Sequence, residues 1–199
     1  MNMTRFLILF FFITAFLDGE CQSMHDLAAV KLKDMRNKST TIHSGDKHTV
    51  ILFLGTDCPI TQKYIARLRD IAEEFKSNAA FYGVFPTQFS LKEIKTFKKE
   101  YNVEFTFLSD DEMNLANHLG ATVTPEVFLL DKDLQLQYQG AIDNWFYELG
   151  KSRLNTTENY LIDALVAVQK GESPSIKKTE AIGCFIQMPH DMMDHQNHP

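Results

Sequence analysis

The run Thr49-Val50-Ile51-Leu52-Phe53-Leu54 passes through Gly55-Thr56-Asp57-Cys58-Pro59 directly into a helical repeat. An unbroken apolar run of this length reads as a strand covered on both faces of a sheet. Beyond it, Ile60, Tyr64, Leu68, Ile71 and Phe75 recur at helical spacing, with Lys63, Arg67, Asp70 and Glu74 between them. That spacing predicts a helix over 59–76 with one apolar face. Pro59 suits its first turn, where a missing N–H costs nothing. A doubly buried strand followed at once by an amphipathic helix commits the chain to layered α/β packing.

The pattern then repeats. Ala79–Phe85 reads as a second buried strand, ending at Pro86. Ser90 with Glu93 three residues on is a capping box for a helix reaching about Tyr101. Phe105–Leu108 is a third short strand, and Asp110 or Asp111 caps a helix closed by Gly120, with His118 in its last turn. Thr122–Asp131 holds a strand with Pro125 at its head, and Leu134–Tyr138 alternates as its antiparallel hairpin partner. A loop over 140–157, with Trp145 and Phe146 either covering a site or packing beneath it, leads to a helix over about 158–169. Upstream, Ala28–Lys33 reads as a short edge strand, Asn37–Ser44 as a turn region, and His43 and His48 as solvated flanks of a turn. The order β-α-β-α-β-α-β-β-α implies a mixed sheet with helices on both faces.

Cys58 is the residue in this frame that carries chemistry. A thiol at a strand-to-helix junction lies at the positive end of the helix, which favours thiolate. Thiolate attacks disulfides and peroxides and binds soft metals. The alternative is a buried structural cysteine. Asp57 opposes a second negative charge beside it, and either relays a proton or caps the helix.

The chain has 199 residues and a net charge of −6, so it shows no basic footprint for nucleic acid. Its 16 Phe suit a filled core. Residues 1–22 differ from the rest: Arg5 precedes an almost wholly apolar stretch from Phe6 to Phe16, and polarity returns at Asp18. This is the layout of a signal peptide; the alternative is an N-terminal core helix. Export follows, to a periplasm or an outer surface where disulfides persist. Leu17-Asp18-Gly19-Glu20-Cys21 resembles a bacterial lipoprotein box, which would anchor the protein to a membrane through lipidated Cys21, although Glu20 departs from the small residue expected there. Ordinary cleavage nearby is the other reading. Asn37-Lys38-Ser39 and Asn155-Thr156-Thr157 match the glycosylation sequon.

The chain has three cysteines. With Cys21 lipidated or removed, Cys58 and Cys184 remain, and an exported protein with two cysteines usually pairs them. Residues 171–199 read as a linker and a tail bearing Cys184. In one reading Cys58 reacts first and Cys184 closes the disulfide; in the others the bond is structural or Cys184 stays unpaired. The tail also offers a copper site, with Cys58, Cys184, Met188, His190, Met192, Met193 and His195 as ligands, since thioether and thiolate favour Cu(I). The alternative is a polar tail without a metal; apart from that copper, no cofactor is expected.

The Cys58 junction and Thr124-Pro125 before a later strand resemble the thioredoxin superfamily over about residues 25–170. The strings GTDCPITQKY, LGATVTPEVFLLD, YQGAID and AIGC place the resemblance in its redoxin, peroxiredoxin-like (AhpC/TSA-type) branch of extracytoplasmic proteins. It implies a thioredoxin-like fold, a cis bond before Pro125, and a site shaped by Thr56, Asp57, Pro59, Thr124 and Pro125. It also implies oxidoreductase or antioxidant chemistry on protein thiols, disulfides or peroxide. Two departures matter. Thr61 stands three residues after Cys58, so there is no Cys-x-x-Cys. Gly55, not Thr, stands three before it, so the peroxide-activating set is incomplete; Arg153 in the 140–157 loop is the candidate to complete it. Sco-type copper factors carry Cys-x-x-x-Cys, which Lys63 breaks here. A thioredoxin fold that binds partners without catalysis is a further reading.

Overall fold

The computed structural model describes residues 27–86 and 89–187. In chain order these form β1 (Leu32–Asp34), β2 (Ser39–Thr40), β3 (His48–Phe53), α1 (Pro59–Phe75), β4 (Ala79–Pro86), α2 (Leu91–Glu100), β5 (Thr106–Asp110), α3 (Asn114–Leu119), β6 (Val123–Thr124), β7 (Glu126–Leu130), β8 (Leu136–Gly140), β9 (Phe146–Glu148), β10 (Lys151–Ser152), α4 (Tyr160–Gln169) and β11 (Cys184–Phe185). A seven-stranded mixed sheet runs in the order β2-β1-β5-β4-β3-β7-β8. β3, β4 and β5 pair in parallel, and β7 lies antiparallel to β3.

Alternation along the strands divides the core in two. Val50, Leu52, Leu54, Phe81, Val127 and Leu129 face α1, α2 and α4. Ile51, Phe53, Val84, Phe128 and Leu130 face α3 and the N-terminal segment. β3 is therefore buried on both sides, as its composition requires, and its C-terminal end is held rigidly under the turn that carries Cys58.

Several expectations shift. The segment read as an edge strand, Ala28–Lys33, begins instead with a 3-10 turn over Leu27–Ala29. β1 follows, and it is covered on its outer side by β2, which rises from the supposed turn region. α3 starts at Asn114, later than a cap at Asp110 implies, yet the Asp110 carboxylate still accepts from the N–H groups of Leu115 and Ala116 at 3.2 and 2.8 Å. The loop over 140–157 contains the β9–β10 hairpin. His43 is exposed as read, but His48 is half-buried in β3 and desolvation holds its pKa down. The Ser90–Glu93 capping box is present on both sides of its reciprocal pair.

The segment after Gly171 returns to the domain. The Gln139 N–H donates to the Lys177 carbonyl, and the Thr179 N–H donates to the Gln139 carbonyl. The Thr179 hydroxyl bonds the buried Tyr138 hydroxyl at 2.6 Å and accepts from the Ala141 N–H at 2.9 Å. β11 then pairs antiparallel with β6. The segment read as a linker and tail is thus folded back onto β8 and β6 as far as Ile186. The expected signal segment 1–22 with Cys21, and the tail residues Met188, His190, Met192, Met193 and His195, lie outside the described residues.

Candidate functional site

Cys58 is the N-cap of α1, with Pro59 at the first helical position. The residue is 1% exposed and its sulfur lies 3.0 Å from the Thr124 carbonyl oxygen. The Thr124–Pro125 bond is cis, as the resemblance implies. β11 sets Cys184 opposite Thr124 in register, and this brings the two sulfurs to 2.6 Å, both as free thiols. Residues 126 apart in sequence thus form one site.

Two glycines permit that approach. A Cβ on Gly183 would sit 2.3 Å from the Thr124 carbonyl oxygen, and one on Gly140 would sit 2.2 Å from the Thr179 carbonyl oxygen. Gly140 also has φ 134°, a backbone region that side chains disfavour. Both glycines stand in the strings AIGC and YQGAID. Sequence reading picked out the strings but not the reason for them, which is backbone contact between distant segments.

The electrostatics separate the two thiols. Burial raises the Cys58 pKa, but the Cys184 thiol, the Thr61 N–H and hydroxyl, and the Cys184 N–H together outweigh it, and the net direction is down. The helix-start argument survives through Thr61, a fully buried residue at the third helical position that was noted only as the missing second cysteine. Cys184 moves the opposite way: burial, its bond to Cys58 and the charges of Cys58 and Asp57 push it up to about 12. The pair is therefore arranged to hold one proton, on Cys184, and one thiolate, on Cys58.

A small cavity of about 110 Å³ adjoins both sulfurs, lined by Asp57, Pro86, Phe89, Phe185, Ile186 and Gln187 among others. Asp57 is exposed and makes no cap; Cys58 itself occupies the capping position, and the Asp57 charge acts on Cys184 instead. Thr56 stays off the cavity and holds the turn, its carbonyl accepting from the Gln62 amide at 2.9 Å. Pro59 is exposed, whereas Pro125 is buried and lines a small void together with Tyr64, Asp143 and Ile182. Arg153 does not reach Cys58: it donates to the Asn144 carbonyl and lies over the Tyr147 ring. Trp145 and Phe146 pack on Tyr64 of α1 rather than over the sulfurs. His118 stands in the last turn of α3, closed by Gly120 at φ 70°. Among the described residues no group of three or more His, Cys, Asp or Glu is placed to hold a metal.

Solved structures share this frame. A hypothetical protein from Sinorhizobium meliloti matches with a TM-score of 0.70 at 22% identity, over 81% of this chain and 91% of that one. The Xanthomonas campestris bacterioferritin comigratory protein, described for alkyl peroxide reduction, matches with a TM-score of 0.51 at 19% identity, over 58% and 82%. A secreted Mycobacterium tuberculosis disulfide oxidoreductase gives 0.50 at 16%, over 56% and 82%. At these identities the likeness is one of fold, and the fold is thioredoxin-like. No curated protein sequence matches this chain. The AhpC/TSA family model matches residues 21–139, a span holding β3, the Cys58 turn and the cis-proline strand, and the chain belongs to that family.

Proposed function

We propose that this protein is an exported thiol-dependent oxidoreductase in which Cys58 is the nucleophile and Cys184 the resolving thiol. The observation that carries the reading is the 2.6 Å approach of the two sulfurs, with Cys58 biased toward thiolate and Cys184 toward thiol. The Cys58 thiolate attacks one sulfur of a disulfide, forming a mixed disulfide and expelling the other sulfur as thiolate. Cys184 loses its proton, attacks Cys58 and releases the bound thiolate, so the substrate gains two electrons and the protein holds a disulfide. With a hydroperoxide, Cys58 takes the terminal oxygen as sulfenate and the alcohol leaves; Cys184 then displaces hydroxide, which leaves as water. Family membership and the small cavity are compatible with both oxidants. The signal-like layout of residues 1–22 supports export.

The test is turnover of hydrogen peroxide and of a model disulfide by wild type, Cys58→Ser and Cys184→Ser, with peptide mapping of the oxidised wild type. Loss of both activities in Cys58→Ser, and a Cys58–Cys184 bond in wild type, are expected. Undiminished turnover in Cys58→Ser would sink the reading.

A further inference from the structure

A second concavity, a groove of about 670 Å³, lies between the β9–β10 hairpin, β6 and the segment that leads into β11. Phe185 lines both this groove and the small cavity at the sulfurs, so the two are neighbours. The groove has an apolar rim open to solvent: Phe185 is 78% exposed, Leu149 57% and Tyr147 50%. Large apolar side chains gathered in one exposed patch mark a surface that a partner covers.

Glu126 adds a charge to that surface. It stands at the head of β7, lines the groove and is 6% exposed. A carboxylate has about four acceptor sites. Among the described residues this one receives the Thr122 N–H at 2.9 Å, and no ion pair reaches it. A carboxylate so far out of water is stabilised by a cation that brings further donors. Two more carboxylates, Glu148 and Glu180, line the groove against one ammonium, Lys178. Glu148 pairs with Lys151 at 2.7 Å, whereas Glu180 makes no ion pair among the described residues. Arg153 rests on the Tyr147 ring but donates to the Asn144 carbonyl. The groove is therefore acidic as well as apolar.

We propose that this groove docks a basic, extended segment of a partner polypeptide, with an arginine side chain on Glu126 and apolar side chains over Tyr147, Leu149 and Phe185. Arginine suits the carboxylate because its planar fork supplies two parallel donors. A small free cation would meet Glu126 and leave the apolar rim bare. An extended chain meets both, since every second side chain points to the same face.

The test is fluorescence anisotropy of a short dye-labelled peptide, with arginine and leucine taking turns at every second position, added to the reduced full-length chain. Two control peptides carry citrulline or glutamate in place of each arginine. Binding of the arginine peptide, and of neither control, is expected. Glu126→Gln keeps an oxygen for the Thr122 N–H. It should weaken binding about tenfold, as for loss of a desolvated charge partner. Phe185→Ala changes an exposed residue and tests the rim whether or not Glu126→Gln folds; it should weaken binding about fivefold or more. Glu74→Gln, on an exposed position of α1, should leave binding unchanged. Equal binding of the citrulline peptide, or equal weakening by Glu74→Gln, overturns the proposal, because the attraction is then apolar alone or that of the whole acidic chain. A dimer in sedimentation that Phe185→Ala disrupts, with no peptide bound, overturns it in favour of a second copy. Binding is read without turnover, so each result stands apart from the role of Cys58 as nucleophile.

Discussion

Cys58 meets both donors and a carbonyl. The Thr61 N–H and the Cys184 thiol favour its charged form, while the Thr124 oxygen favours the protonated one. The balance turns on Cys184, whose thiol is the largest of the influences that lower Cys58. Cys184→Ala is therefore expected to raise the Cys58 pKa, visible as an upward shift of the thiolate absorbance titration; an unmoved titration would mean that the helix start alone sets it. Asp57 acts on the other thiol. Asp57→Asn removes a charge that opposes anionic nucleophiles at Cys184. A change of about 1 kcal/mol, as for a near-surface charge, corresponds to opening of the oxidised pair by glutathione about fivefold faster. The gain should shrink in high salt.

At the scale of elements, β11 depends on contacts that a side chain would block. Gly183→Ala sets a methyl group against the Thr124 backbone. Lifting the strand relieves that clash at a cost of about 1–3 kcal/mol. Maleimide labelling of Cys58 should then accelerate by about tenfold, because the cover opens locally. Thr179→Val removes a hydroxyl that serves both the Tyr138 hydroxyl and the Ala141 N–H. Leaving such buried groups short of a partner costs about 1–3 kcal/mol, measurable by urea unfolding. These contacts also mark where sequence reading stopped. The buried strands, α1 and the capping box were legible because each is written in local periodicity or capping chemistry, whereas the cis bond before Pro125 was legible only through the resemblance. β11 was not, because two residues carry no period and its partner lies 60 positions upstream at Thr124. The same holds for β2, β9 and β10, which are short and polar and are defined by pairing alone. Cys58 and Cys184 both stand out in the sequence. That they meet follows from Gly183, whose signal was a lone small residue beside a cysteine.

For the whole molecule, one buried ion pair ties the 140–157 segment to α1. Asp143 is 2% exposed, accepts from the Tyr64 hydroxyl at 2.6 Å and the Trp145 N–H at 2.7 Å, and meets Arg67 at 2.9 Å. Asp143→Ala is expected to cost about 2–3 kcal/mol, below the range for a fully buried pair, because the Arg67 side chain is 30% exposed; a fall in Tm would record it. Stability should also depend jointly on pH and redox state. Cys184 in the folded reduced protein holds its proton to about 12, against a reference value of 9.0 for the unfolded chain. The folded state therefore binds more protons between these values, so its stability is fully present below about pH 9 and declines as pH rises toward 12. Tyr64 and Tyr138 are raised as well and push in the same direction in both redox forms. The difference between reduced and oxidised protein in alkaline urea titrations reports the two thiols, and toward pH 12, well above the lowered Cys58 pKa, the change belongs to Cys184. Equal slopes would sink the assignment.

The docking of β11 has a temporal meaning too. A chain made from its N-terminus completes β3, α1 and β7 long before residue 184 emerges. Throughout that interval Cys58 stands at its helix start without Cys184 or the cover of Phe185–Gln187. In the unfinished protein Cys58 is thus open but less inclined to thiolate, and both its cover and its activating partner arrive together with one of the last strands to be synthesised.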